Sequence, residues 1–364
     1  MPDEAMTWSL LRSITPQPDG LPPTHPTSEP VDWNILGPGI RAVRAVLEQP
    51  QPPRPPLRPT EGEPIARPAP RSLVRDAVDA LPPDRVLHAR DAMRVLLMQG
   101  DEAPVLLHEL GRLREEAFRA LGEGTGQALD LDLQDTRYDH LVLWDDEAAE
   151  VLGAYRVGRV DALRASDQGM YLASLFHFAP DLWDALGPAL ELGRAFITPG
   201  RQRSPLALSD LWQGIGRYLC DRPRYRKLLG AVSIDRQYSD LSLHLMVGHL
   251  RARHSASRLV PMVTPRTPLP ASSDLERSLR SCGAAIPDLR TLDEVVARLE
   301  PGERGIPVLF RSYMGLGARV LGVNVDPDFQ DSVDALVVVD LDQADPRRLR
   351  RFMGRTRHQE WARG

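Results

Sequence analysis

Between Ala103 and Gly122 apolar residues recur at helical intervals: Val105, Leu106, Leu110, Leu113, Ala117, Phe118 and Leu121 share one face, and Gly122 suits a C-cap. The period then changes. In YDHLVLWD (138–145) and EVLGAYRVG (150–158) apolar and polar residues alternate, and the acidic turn from Asp145 to Ala149 between them predicts a β-hairpin. A mobile-looking stretch runs on to Pro188. After it the pattern predicts a strand around Glu191, a helix over LSDLWQGIGRYL (208–219) and a strand over Leu228 to Ile234. Helices are predicted over Ser239 to Arg251 and Val308 to Leu316, flanking a Pro- and Ser-rich excursion from Pro261 to Pro287 and a short helix near Leu292 to Leu299. SVDALVVVDL (332–341) reads as a buried strand. The fold class expected from this order is α/β, a mixed sheet with helices on both faces. No internal repeat interrupts it.

Upstream the texture differs. Prolines cluster from Pro16 to Pro70, as in QPQPPRPPLRP, and deny the backbone amide donors, so residues 1–71 read as a largely disordered tether with a short amphipathic helix at 33–49. The folded domain is placed at 72–364, with a variable excursion at about 261–305. Across its 364 residues the chain is 42% hydrophobic, with no run of eighteen apolar residues and no apolar leader, so a cytoplasmic protein is expected. Cys220 and Cys282 sit in unrelated contexts, which gives no support to a disulfide framework or a zinc site. A net charge of -5 argues against nucleic-acid binding. Lys227 is the only lysine; the remaining positive charge is arginine.

Four stretches carry candidate chemistry. Glu191 can take a proton from an amine if burial raises its pKa, whereas Arg194, three residues on, faces the other side of a regular strand unless a bulge turns it. In TPGRQRSPLAL, Ser204 followed by Pro205 has the form of an N-cap, and Arg201 and Arg203 beside it make an anion site suited to a phosphopantetheine phosphate. Asp130, Asp132, Asp135 and Asp139 follow the glycine loop GEGTG, which lacks the context of a P-loop and reads as a lid or turn. The aspartates suit a cationic amine or a divalent ion, although their spacing does not match a calcium-binding loop. Arg217, Arg222, Arg224, Arg226 and Lys227 form a basic cluster suited to an acidic partner. His140 and Asp145 have an acyltransferase-like spacing, but an offset of five on a strand points them to opposite faces.

Taken in order, LGRLREEAFRALGEGTG, LDLDLQDTRYDHLVLWD, EVLGAYRVG, LELGRAF, LSDLWQGIGRYL, YRKLLGAVSI and LGVNVDPDFQDSVDALVVVDL resemble the hemolysin-like branch of the GNAT acyltransferases, which includes the acyl-carrier-protein-dependent enzymes of ornithine-lipid synthesis. The resemblance spans roughly Ser72 to Met353. More distantly the chain is similar to acyl-homoserine-lactone synthases. That similarity implies substrate-binding roles for Arg114, Phe118, Asp130, Asp132, Asp135 and Arg156, and catalytic roles for Glu191 and Arg194. It also implies a V-shaped opening between two central strands, where a backbone amide steadies the oxyanion and Glu191, or a water it orders, removes the amine proton.

On this resemblance the expected activity is transfer of a fatty acyl group from a carrier-protein or coenzyme A thioester to the amine of an amino acid or aminolipid precursor, with no bound cofactor and no metal. RQRSPL lacks the glycines of a coenzyme A pyrophosphate loop, which favours an acyl carrier protein as donor and partner. The basic C-terminal segment from Asp345 suits peripheral contact with anionic lipid at the inner membrane face. Two other readings stand beside this one: an inactive GNAT-fold module that binds acyl chains or a partner, and a signal synthase of the homoserine-lactone type.

Overall fold

The computed structural model describes residues 62–364 apart from 168, 202–205, 271–272, 355–357, 360 and 363–364. The helix expected at 33–49 and most of the proposed tether lie outside the described residues. The strands are β1 (Val86–Arg90), β2 (Met93–Gln99), β3 (Asp139–Asp145), β4 (Glu150–Arg159), β5 (Phe176–Phe178), β6 (Ala189–Ile197), β7 (Lys227–Ile234), β8 (Val263–Pro265), β9 (Arg319–Asp326) and β10 (Ser332–Asp340). The helices are α1 (Arg71–Asp79), α2 (Pro104–Arg119), α3 (Val160–Arg164), α4 (Leu172–Leu175), α5 (Leu182–Leu186), α6 (Ala207–Cys220), α7 (Asp240–Arg253), α8 (Asp274–Ala285), α9 (Leu289–Leu299), α10 (Val308–Gly315) and α11 (Pro346–Met353).

The hairpin that alternation predicts, β3–β4, lies inside an eight-stranded sheet of order β1-β2-β3-β4-β6-β7-β10-β9. All its neighbours are antiparallel except β6 and β7, which run parallel. That pair meets only from Ala189↔Lys227 to Leu192↔Gly230, although β6 continues to Ile197 and β7 to Ile234. Beyond the fourth pair the two strands part. Gly230 permits the close approach at the fork, since a Cβ there would lie 2.8 Å from the Leu192 carbonyl oxygen.

One face of the sheet carries a continuous apolar core, in which Leu141, Leu190, Leu192, Val232 and Val337 pack against Leu211, Ile215, Leu245, Val296 and Phe310 from the helices. Trp361 and α11 close its lower side through Leu349 and Phe352. The other face is covered by two separate clusters. Leu106 and Leu110 of α2 pack on Met98, Val142 and Trp144, while Leu172, Leu182 and Leu186 pack on Ala189, Leu229 and Leu336. Polar side chains occupy the gap between them.

Several elements go beyond the pattern-based expectation. The β1–β2 hairpin and β9 were not anticipated: Val95 to Met98 are apolar without alternation because both faces of β2 are covered. The stretch read as mobile up to Pro188 contains α3, α4, β5 and α5. The Pro- and Ser-rich excursion contains β8 and α8, the latter opened by a capping box of Ser273 and Glu276. At the other end, residues 62–70 lie along the body, with Glu63 N donating to Gly126 O (2.8 Å), Ala66 N to Ala128 O (2.9 Å) and Ala69 N to Glu109 Oε2 (3.0 Å). Among the described residues no helix is long and apolar enough to cross a membrane.

Candidate active site

The parting of β6 and β7 opens a cavity of about 260 Å³ through the sheet. On the side of the continuous core its wall is largely apolar, with Leu192, Val232, Tyr238, Ile306 and Tyr313. On the other side it is polar and acidic: Glu123, Asp235, Asp326 and Asp334 line it with Tyr171, Arg194 and Arg304. Gly193 sits at the fork, and a Cβ built on it meets no atom within 4 Å, so the missing side chain leaves room over the strand.

A bulge shapes this edge. Arg156 pairs with Gly193 and Ala154 with Phe196, so Arg194 and Ala195 together oppose the single residue Tyr155. Arg194 adopts φ 49°, a left-handed conformation that costs a non-glycine residue about 1–2 kcal/mol. The compensation is visible: its guanidinium reaches Asp130 (3.2 Å) and Asp132 (3.6 Å) and stacks over Tyr171 (4.6 Å) and Phe329 (4.4 Å). The bulge therefore turns Arg194 into the polar gap, where Arg156 also lies, and Arg194 pairs with aspartates rather than with Glu191.

Glu191 is buried, 2% exposed, and accepts from Tyr138 OH at 2.7 Å and from Leu172 N at 3.0 Å. Tyr138 OH in turn accepts from Tyr171 N at 2.9 Å. Burial pushes the Glu191 carboxyl up to about 7, against the pull of the Tyr138 hydrogen bond and the Arg156 charge. Its position differs from the expected one, however. Tyr171 and Leu172 line the cavity and Glu191 does not, because its two oxygens are turned to the segment that carries those residues.

The remaining residues singled out by resemblance converge on one buried network. Arg114 Nη2 binds Asp135 Oδ1 (2.8 Å), and Arg156 Nη1 binds Asp132 Oδ1 (2.7 Å) and Asp135 Oδ1 (3.2 Å). Asp132 and Asp135 cap a 3-10 turn (Leu133–Thr136) reciprocally, which fixes both carboxylates. Burial raises the Asp135 carboxyl, but Arg114, Arg156 and His140 outweigh this and hold it below the usual range. Of this set only Phe118 and Arg194 line the cavity; Arg114, Arg156, Asp132 and Asp135 bind one another, and Asp130 binds Arg194. Asp139, the fourth aspartate, accepts from Tyr218 OH at 2.6 Å.

The acidic wall was missed by sequence reasoning. Glu123 lies in GEGTG, whose conformation is set by Glu115: its carboxylate accepts from Thr125 N (3.0 Å), Thr125 Oγ1 (2.7 Å) and Gly126 N (2.9 Å). Asp334 lies inside β10 and accepts from Ser233 Oγ at 2.7 Å. Asp326 accepts from Tyr171 OH at 3.2 Å, and Asp235 is bound by Arg304. The available signal was an aspartate within the otherwise apolar run SVDALVVV. Burial pushes Asp334 up to about 7 and raises Glu123 well above its ordinary value, aided there by Asp235 and Asp334.

Other expectations meet different outcomes. Helix α6 begins at Ala207 with Leu206 as N-cap. Its first turn carries Asp210, which binds Arg90 (2.6 Å) and His88 (3.2 Å). Arg203 and Ser204 lie outside the described residues, as does the side chain of Arg201. The basic cluster is engaged locally: Arg217 with Asp221, Arg224 with Asp161, Lys227 with Asp340, Arg222 over Tyr218 and Arg226 over Trp361. His140 donates from Nε2 to Asp135 O (2.9 Å), whereas Asp145 accepts from Glu147 N and Ala148 N in the hairpin turn, so the two form no dyad.

Comparison with known proteins gives a consistent picture. Residues 113–213 match the acetyltransferase (GNAT) domain family. The chain is similar to the glycine N(alpha)-acyltransferase of Bacteroides thetaiotaomicron, with 30% identity over 271 residues, covering 69% of this chain and 78% of the relative. It is also similar to the glycine N(alpha)-acyltransferase of Phocaeicola vulgatus, with 30% identity over 259 residues, covering 65% of this chain and 77% of the relative. No solved structure matches it.

Proposed function

Given that this chain belongs to the GNAT N-acyltransferases, we propose that it transfers a fatty acyl group from a carrier-protein thioester to the amine of a small amino acid, glycine being the first candidate. The observation that carries this reading is the fork: β6 and β7 separate after Leu192↔Gly230, and the cavity between them is apolar on one face of the sheet and acidic on the other. An acyl thioester suits the apolar side and an amine the acidic side. The thioester carbonyl lies at the fork in this reading, where β6 beyond Leu192 no longer pairs with β7, and a β6 backbone N–H there has the role of steadying the developing oxyanion.

The polar network has the role of holding that edge in shape. Arg156, Asp132 and Asp135 fix the neighbouring strand and turn, while Arg194 keeps the bulge in place against Tyr171 and Phe329. Glu191 is a positioning residue in this account: through Tyr138 and the Leu172 amide it holds the 171–172 segment that walls the cavity. A carrier-protein donor is supported by RQRSPL, which has no glycine for wrapping a pyrophosphate. A hydrophilic acceptor whose product carries an acyl chain also gives the basic C-terminal segment a reason to meet anionic lipid.

Thiol release tests the reading. Purified protein is incubated with palmitoyl carrier protein or palmitoyl-coenzyme A, with and without glycine, and the product is identified by mass spectrometry. Glycine-dependent thiol release, faster with the carrier protein, and an N-acylglycine product are expected. No acceptor-dependent release with either donor would sink it.

A further inference from the structure

We propose that Glu123, Asp235, Asp326 and Asp334 form the seat of the acceptor's ammonium group and that Glu123 or Asp334 takes its first proton. The inference deepens the proposed function and rests on it.

Three observations carry it. All four carboxylates line the cavity on one side of the fork and are buried, at 7, 8, 3 and 3% exposed respectively. The cations lining the cavity are Arg304, bound to Asp235 and Gln237, Arg194, bound to Asp130 and Asp132, and Arg311, bound to Asp293. Two of these three guanidiniums are committed to aspartates outside the cavity wall, so the four carboxylates outnumber the cations left to face them. Finally, Glu123 Oε1 has no hydrogen-bond partner among the described residues. A buried, unpaired carboxylate oxygen is costly, and a donor entering the cavity relieves that cost.

An organic ammonium fits this arrangement. It brings three N–H donors and a positive charge, matching Glu123 Oε1 and the Asp334 carboxylate. No trio of His, Cys, Asp or Glu side chains among the described residues is grouped so as to hold a metal ion. Size selects as well: with Gly193 leaving space at the fork, a compact primary amine can pass from the acidic wall to the thioester carbonyl. The raised pKa of Asp334, about 7, suits proton exchange with an ammonium near neutrality.

The step balances. The ammonium gives one proton to the carboxylate, and the freed nitrogen lone pair attacks the thioester carbonyl carbon. As the C–N bond forms and the C–S bond breaks, the departing thiolate takes the second nitrogen proton. The carboxylate then returns its proton to solvent.

The test compares Glu123→Gln and Asp334→Asn with wild type, after circular dichroism has shown that both variants are folded. Each variant is expected to raise the KM for glycine at least tenfold while the KM for the acyl donor stays within twofold. Glycine KM unchanged in both variants overturns the seat and leaves the acyltransferase reading intact. If wild type transfers to no amine, that reading fails instead, and calorimetric titration with glycine and ethylammonium chloride decides the seat. Binding heat present in wild type and lost in the variants supports it; no heat in wild type overturns it.

Discussion

The two faces of the sheet solve different problems with the same strands. On one, a single uninterrupted apolar core joins the strands to the large helices, and its contribution scales with buried area. On the other, two smaller apolar clusters stand apart, and arginines, aspartates and tyrosines fill the interval. Buried ion pairs add little net stability, because desolvation offsets their attraction. What the second face gains is position: a bulged strand, a fixed turn and a cavity wall. The lesson is that stability and chemistry are divided by face, and the division can be tested.

Arg156→Ala should have the largest effect, because it strands Asp132 and Asp135 without their shared partner; a loss of about 3–5 kcal/mol in urea unfolding is expected, together with loss of transfer. Leu211→Ala on the opposite face should cost a similar 2–5 kcal/mol through a cavity. Its transfer rate per folded molecule, however, should stay near wild type. Equal loss of specific activity in both would erase the contrast between the faces.

The acidic wall sharpens the contrast through pH. Asp334 moves from the ordinary 3.8 to about 7 on folding, so the folded protein holds this proton more tightly than the unfolded chain. The stability it contributes is fully present below about pH 4 and is lost as pH rises through 7, by at most about 4 kcal/mol. Asp334→Asn should therefore shrink the fall in Tm between pH 5 and pH 8. An unchanged fall would mean that Asp334 does not titrate as a buried acid. For Glu191→Gln a roughly tenfold lower kcat is expected, with the pH profile of kcat/KM keeping its wild-type shape, as a positioning role demands. A lost acidic limb would return Glu191 to the role of base. Smallest of all, breaking the exposed Arg290–Glu294 pair on α9 should change stability by no more than about 0.5 kcal/mol and leave activity alone.

Much of the fold was legible from periodicity, since α2, β3, β4, α7 and β10 announce themselves by spacing. Where both sides of a strand are covered, as in Val95 to Met98, alternation vanishes and the strand was missed. The short helices α3 to α5 lack the length to show a period. Arg114, Arg156, Glu191 and Arg194 were picked out together by resemblance, yet whether Arg194 and Glu191 face the same way depends on a bulge that no local pattern encodes. Glu123, Asp235, Asp326 and Asp334 come from four separate segments, and their meeting exists only once β7, β9 and β10 are side by side.

The account turns on the fork being the place where thioester and amine meet, and Gly193→Val addresses that alone. A Cβ added there meets no atom within 4 Å, so the new side chain starts out in the open space over the strand. The prediction is an unchanged Tm with glycine-dependent thiol release reduced at least a hundredfold; release at the wild-type rate from a folded variant would contradict it.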